Sequence, residues 1–256
     1  MKVWIQEMTW QEVRRALRRS GGVVIVPTGT TEQHGLHLPE GTDAMCAIGI
    51  AEDVAQRTGA IVTPPLWFGW SPHHMAYPGT ISLRPEVVAD VLVDVGKSLN
   101  VHGFRKQVWI CGHRVANLPP MQIAAWKVRE ETSGQAHVVV VDPWYMSKTA
   151  RESLGIFDIG HADEHETSMM LYKFPKLVQM NRAVKDLRET RKFSREDDDH
   201  TTFVPGIPAD LKRRTARSGG ALGDATLATR EKGRKLHTAL VNNIVEIVQG
   251  LKKTAS

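Results

Sequence analysis

Residues 23–43 read VVIVPTGTTEQHGLHLPEGTD, and this stretch decides the fold. Val23-Val24-Ile25-Val26 is an apolar, β-branched run, the composition of a strand buried on both faces of a parallel sheet. The run breaks at Pro27-Thr28-Gly29 into a loop that gathers Glu32, His34, His37 and Asp43. Open α/β sheets bind ligands on the loops that leave the carboxyl ends of their strands. Carboxylates offer hard oxygen and neutral imidazoles borderline nitrogen, a donor set suited to Zn²⁺, Mn²⁺ or Fe²⁺ rather than Ca²⁺ or Mg²⁺.

The flanking sequence extends the same pattern. Residues 10–19 read as a helix with Trp10, Val13 and Leu17 on one face, Thr9 as N-cap and Gly21-Gly22 as its stop. Residues 43–57 read as a second helix that buries Ala47, Ile48 and Val54, and its N-terminus favours the Asp43 carboxylate. A short strand over 59–63 leads into PPLWFGWSPHHMAYPGTISL, a loop long enough to suggest a function. A helix over 84–100 starts with Pro85 in its first turn, and the buried strand 107–111 runs straight into Gly112-His113. A helix over 118–131 and a fourth strand over 136–142 follow. Strands alternating with helices imply parallel, right-handed βαβ units. The expected fold is α/β: a three-layer α/β/α sandwich with a mostly parallel central sheet.

Residues 164–172 read as helical and 225–251 as a long amphipathic helix with Leu236, Leu240, Ile244 and Ile247 on one face. Between them, residues 174–222 form a polar, basic segment that includes Glu196-Asp197-Asp198-Asp199-His200. It reads as a solvated excursion, a lid or an oligomer contact. With no internal repeat and no Gly/Ser linker, residues 1–256 are expected to form one domain.

Composition excludes several classes. The chain is 41% hydrophobic and 24% charged, the balance of a globular enzyme. No apolar run approaches the ~18–20 residues that span a bilayer, and the amphipathic N-terminus, which carries Glu7 and Glu12, is unlike a signal peptide. Cys46 and Cys111 are too few for a disulfide scaffold, so a cytoplasmic setting is expected. The formal charge is +5. Its basic residues are scattered, or interrupted by acids in the last third, and no aromatic interleaving accompanies them, so a nucleic-acid partner is not expected. A small-molecule substrate is, and the positive charge would attract an anionic one.

Polar clusters recur at the ends of the expected strands: Glu32-x-His34 with Asp43, then His113, then His161-Ala-Asp-Glu164-His165-Glu166-Thr-Ser168. Convergence of such ligands from separate strand ends is the geometry of an α/β metallohydrolase. At these positions the sequence resembles the creatininase (creatinine amidohydrolase) family. The matching pieces are Thr28-Gly29-Thr30-Thr31-Glu32-Gln33-His34-Gly35, His37-Leu38-Pro39, Thr42-Asp43, His74 with Pro78-Gly79-Thr80-Ile81-Ser82, and Cys111-Gly112-His113 with Asn117. The series closes with His161-Ala162, Glu164, Glu166-Thr167-Ser168, Gly223-Asp224, Ala228-Thr229 and Glu231-Lys232-Gly233.

The resemblance implies two divalent metal ions per chain (Zn, Mn or Fe) and a homo-oligomer, often a hexamer. It implies that Glu32 binds one metal and His34 the other, that Asp43 bridges them and that His113 completes one shell. A glutamate around Glu164 would complete the remaining shell, and His161 and Glu166 would assist proton transfer; which of Glu164 and Glu166 is ligand and which catalytic stays open. A metal pair acidifies a bound water and polarises a substrate carbonyl, which fits hydrolysis of a small cyclic amide or formamide. Hydrolysis of an inositol- or sugar-derived cyclic diketone or lactone is the alternative, and a scaffold without metals is a third reading.

His74, on the long loop, is expected to contact substrate. Departures from the family's pattern bear on which substrate. Arg114 and Val115 replace glycines after His113, and Val115 stands where creatininase itself has a metal-binding glutamate. Phe157 replaces a tryptophan, and Asp163 replaces a glycine. These changes argue against creatinine, and Arg114 is expected to contact an anionic or polyhydroxylated substrate.

Overall fold

The computed structural model describes residues 1–157, 160–187 and 208–254. Four parallel strands, β1 (Val23–Thr28), β2 (Ile61–Val62), β3 (Lys106–Cys111) and β4 (His137–Val141), form a sheet in the order β2-β1-β3-β4. Side chains alternate across it as the strand period requires. Val23, Ile25, Val108 and Ile110 enter one apolar layer; Val24, Val26, Trp109 and Cys111 enter the other. Helices α1 (Trp10–Ser20), α3 (Pro85–Val101) and α4 (Arg114–Glu131) cover the second face. Helix α2 (Thr42–Thr58) and the C-terminal helix cover the first, so the expected three layers form.

Local chemistry sets the boundaries. Thr9 and Glu12 close a capping box on α1, and Gly21 ends it in the left-handed region at φ 63°. Helix α4 starts at Arg114, four residues before the expected position. Pro119 and Pro120 remove two donors from it, but the turn before them is closed by the Asn117 amide donating to His113 O at 3.1 Å. That early start makes His113 the N-cap and places it directly at the end of β3.

The chain continues through α5 (Pro143–Met146), α6 (Lys148–Ser153), α7 (Glu164–Lys173), α8 (Pro208–Arg214) and α9 (Arg230–Lys253), with β5 (Lys185–Asp186) and β6 (Gly223–Asp224) paired antiparallel. The expected long helix is therefore shorter at its start: Thr229 caps it by accepting from the Lys232 amide. The expected solvated excursion also needs correction where it is described. Phe174, Val178 and Val184 pack onto Leu38, Met170 and Ala221. The Gln179 amide donates to His37 O at 2.8 Å, and Thr215 and Ser218 are buried. Apolar residues spaced along a polar segment are enough to anchor it on the core. The acidic run 196–200 lies outside the described residues. Among those described, no helix is long and apolar enough to cross a membrane.

Two glycines hold the active-site edge together. A Cβ at Gly112 would lie 2.4 Å from Asp43 O and 2.7 Å from Thr28 O; one at Gly29 would lie 2.3 Å from Ala44 N. Strand ends and the start of α2 thus touch backbone to backbone. Gly112→Ala is expected to cost about 1–3 kcal/mol as an overpacked contact. A urea melt with a lowered midpoint and unchanged slope would show it, and an unshifted midpoint would contradict it.

Candidate active site

The polar clusters meet at the carboxyl edge of the sheet. Glu32 and His34 come from the loop after β1, Asp43 from the first turn of α2, His113 from the end of β3 and Glu166 from the first turn of α7. The long loop after β2 adds Ser71, His73 and His74. His161 precedes α7 and is tied back by paired backbone bonds with Leu222, each 2.8 Å. Asp43, His73, His74, His113, His161 and Glu166 line a cavity of about 380 Å³ that also touches Arg114, Asp142 and Leu211.

Three ligand sets emerge: Glu32, Asp43 and His113; His34, Asp43 and Glu166; and Glu32, His34 and His161, with the ligand atoms of each within 4.8 Å of one another. His113 Nδ1 lies 3.1 Å from Asp43 Oδ2 and 3.2 Å from Glu32 Oε1. His34 Nε2 lies 3.1 Å from Asp43 Oδ1 and 3.7 Å from Glu166 Oε2. Donors ~2.1 Å from one tetrahedral ion sit about 3.4 Å apart, so these spacings fit a shared cation. Glu32 Oε1 is buried with no hydrogen bond, although His113, His74 and His161 nitrogens lie at 3.2, 3.5 and 3.7 Å. An oxygen so placed has capacity left for a cation among those rings. The residues present fit divalent ions.

The supporting groups fix the ligands. Thr30 Oγ1 donates to Asp43 Oδ2 and Ser71 Oγ to Glu32 Oε2. His34 Nδ1 donates to Glu32 O at 3.0 Å, which leaves Nε2 as the ligand atom.

In the metal-free protein, charge is balanced by protons. Burial opposes the charged form of His34, but Asp43, Glu166 and Glu32 outweigh it and raise its pKa to about 10. His113 is raised likewise, burial again being overcome by Glu32 and Asp43. Burial alone would lift the Glu32 and Asp43 pKa values; the imidazoles, His113 foremost for Glu32 and His34 for Asp43, hold both carboxyls low. Glu166 goes the other way, pushed by burial to about 8. His161, desolvated and next to His34, falls to about 3.

The structure separates the two glutamates of α7. Glu164 lies outside every ligand set among the described residues and pairs with Lys232 of α9. Glu166, one helical step on, turns inward and joins His34 and Asp43. The reason is helix geometry: two residues apart on a helix face opposite sides. Glu166→Gln is expected to weaken metal binding by about 10-fold or more, while Glu164→Gln leaves it unchanged. Competition with a coloured chelator would read both, and equal losses would contradict the assignment.

His74 lines the cavity and stacks on His161 with centroids 4.2 Å apart. Arg114 lies at the rim, its Nε 3.0 Å from Asp142 Oδ2 and its Nη2 2.9 Å from the Tyr145 hydroxyl. Sequence reading did not single out Thr30, Ser71 or Asp142. Ser71 could have been found from its place before Pro72-His73-His74, but Asp142 only from its place directly after the fourth strand. Asp163, where the family pattern has glycine, is the buried N-cap of α7, where it accepts from the Glu166 amide.

The creatininase-family sequence profile, described as creatinine amidohydrolase, matches residues 6–248. The chain belongs to the creatininase family. A 3-dehydro-scyllo-inosose hydrolase from Thermotoga maritima is 32% identical over 97% of this chain and 83% of its own. The creatinine amidohydrolase of Pseudomonas putida is 28% identical over 96% of both. A crystal structure of creatinine amidohydrolase superposes with a TM-score of 0.83 at 28% identity, covering 99% of each chain. Creatininases of the same fold have been solved in forms described as Zn-Zn and Mn. With its clustered ligands, this creatininase-family protein is a metal-dependent hydrolase.

Proposed function

We propose that this hydrolase holds two divalent ions per chain and opens a small cyclic carbonyl compound derived from inositol or a sugar. The observation that carries the two-ion reading is that Asp43 belongs to two ligand sets, one completed by Glu32 and His113 and the other by His34 and Glu166. When bound, the ions would supply Lewis acidity, acidifying water and polarising the carbonyl.

The chain's own residues supply the rest. Thr30 and Ser71 hold Asp43 and Glu32 in place, so the carboxylates need not reorganise during reaction. His161 presents Nδ1 toward Glu32, 3.7 Å away, and its low basicity leaves it neutral. It takes the proton of the attacking water and returns it to the departing carbon or nitrogen. Arg114, braced by Asp142 and Tyr145, supports a ring bearing hydroxyls or developing a carboxylate at the cavity rim.

The similarity to an inosose hydrolase and the polar residues following His113 favour the inositol-derived substrate. The second reading, a cyclic amide or formamide, is supported by the near-complete coverage of a creatinine amidohydrolase. The deciding experiment loads the purified protein with zinc or manganese and offers cyclic 1,3-diketones of inososes beside creatinine and other cyclic amides. Metal-dependent release of a new carboxylate from the diketones alone supports the proposal. Turnover of the amides alone transfers it to the second reading, and a metal-free, inert protein leaves only a scaffold. A homo-oligomer, expected from the family, is read from the same preparation by light scattering.

A further inference from the structure

The cavity wall holds more imidazoles than two ions need. His34, His161, His74 and His73 follow one another with centroid separations of 4.5, 4.2 and 4.1 Å, and His113 lies 5.7 Å beyond His73. His74 Nε2 comes within 3.5 Å of Glu32 Oε1, as close as a ligand would. Something must decide which rings offer a lone pair there and which offer N–H.

The hydrogen bonds of Gln33 make that decision. Its side-chain amide can be oriented without ambiguity. The Gly35 backbone N–H, which can only donate, meets Oε1 at 2.9 Å; the Gly220 carbonyl, which can only accept, meets Nε2 at 3.2 Å. The remaining hydrogen on Nε2 therefore points to His74 Nδ1 at 2.7 Å. Nδ1 must accept, so His74 is neutral and carries its proton on Nε2, facing Glu32. The backbone carbonyl of Gln33 accepts from His161 Nε2 at 2.5 Å, so in the neutral ring the lone pair is on Nδ1. Gly220 permits the close approach: its φ is +111°, and a Cβ there would lie 1.9 Å from Gln33 Oε1.

We infer that Gln33 is a positioning residue for two stacked rings: its side chain fixes the tautomer of His74, turning His74 Nε2–H toward Glu32 and out of the metal shell, while its carbonyl takes the Nε2–H of His161. The His74 tautomer stands on the hydrogen bonds alone; its consequence for metal rests on the two-ion reading. Without this device, a third imidazole would compete with His34 and His113 for the ions.

The test is long-range proton–nitrogen NMR of protein labelled with ¹⁵N-histidine, first metal-free and then with zinc added. The His74 signals are assigned by their loss in His74→Asn. In wild type, His74 is expected to show a pyridine-type Nδ1 and a protonated Nε2, and His161 the reverse. Gln33→Glu keeps the length and the acceptor for Gly35 but replaces the donor facing His74, so Nδ1 of His74 is expected to become protonated. A protonated His74 Nδ1 in wild type, or no change in Gln33→Glu, overturns the inference; the wild-type spectrum decides even if the variant fails to fold. Zinc that shifts His34 and His113 but leaves His74 Nε2–H in place supports it, and zinc that displaces that proton overturns it. Zinc that moves no ring refutes the two-ion reading, while the tautomers, read without metal, stand.

Discussion

Asp43→Ala is expected to strip both ions from the protein and reduce turnover by about three powers of ten or more. Asp43 is the one residue common to the two ligand sets that hold His113 and His34, each of which lies 3.1 Å from one of its oxygens. Its loss takes a charged donor from each site at once. Metal polarisation of a carbonyl contributes several kcal/mol to the transition state, and each 1.36 kcal/mol is tenfold in rate. His34→Ala provides the contrast, because it leaves Glu32, Asp43 and His113 intact; it should retain about one ion. Elemental analysis of chains purified without chelator reads both. An Asp43→Ala protein that keeps two ions would contradict the bridging role. A wild type that holds a single ion would mean that Val115, where the family resemblance implies a metal-binding glutamate, has removed the other site.

The second large effect is on acid stability of the metal-free protein. Burial lowers four imidazoles from their ordinary value near 6.5: His37 and His73 to about 4, His161 and His165 to about 3. A folded-state pKa below the unfolded one means that the unfolded chain takes up protons which the fold refuses. These four therefore stabilise the protein above pH 6.5 and lose that contribution as pH falls through 6.5 toward 4 and 3. Asp163 and Glu166 oppose them. Burial raises these carboxyls to about 6 and about 8, so between pH 6 and 4.5 the fold holds protons that the unfolded chain has released.

Burial shifts His74 and His237 down and Glu40 and Asp142 up as well, so six protons favour unfolding, four oppose it and a net two remain. At about 1.4 kcal/mol per proton and pH unit, stability should fall by about 3 kcal/mol per unit below pH 6. A domain only 5–15 kcal/mol stable does not withstand that slope for long. On the alkaline side, the raised His34 and Glu166 lose their contribution as pH climbs through about 8 and about 10, so maximum stability lies near neutrality. Bound zinc should move the acid transition to lower pH, since it binds only the folded ligand set. Urea midpoints from pH 7 to 4.5, with and without zinc, measure this. A flat profile in the metal-free protein would show that the buried imidazoles find protons in the folded state.

Much of this protein is legible in the chain itself. The run Val23–Val26 and its counterparts at Val108–Cys111 and Val138–Val141 are apolar at every position, and only a strand covered on both faces demands that. The layers and the parallel sheet follow from local rules. So does the placement of Glu32, His34, Asp43 and His113, because residues at the ends of adjacent parallel strands must meet.

Other features needed the third dimension. Which of Glu164 and Glu166 turns inward depends on the phase of α7 against α2 and α9, where Lys232 draws one away and His34 faces the other. The sequence places both glutamates in one motif and cannot rank them. The packing of residues 174–187 and 208–222 onto the core depends on a few apolar contacts that leave no periodic trace. The proton positions on His74 and His161 depend on Gln33, Gly35 and Gly220, the last nearly two hundred residues away along the chain. Periodicity and spacing report which face of an element is buried; hydrogen-bond direction and rotational phase arise only when distant elements pack.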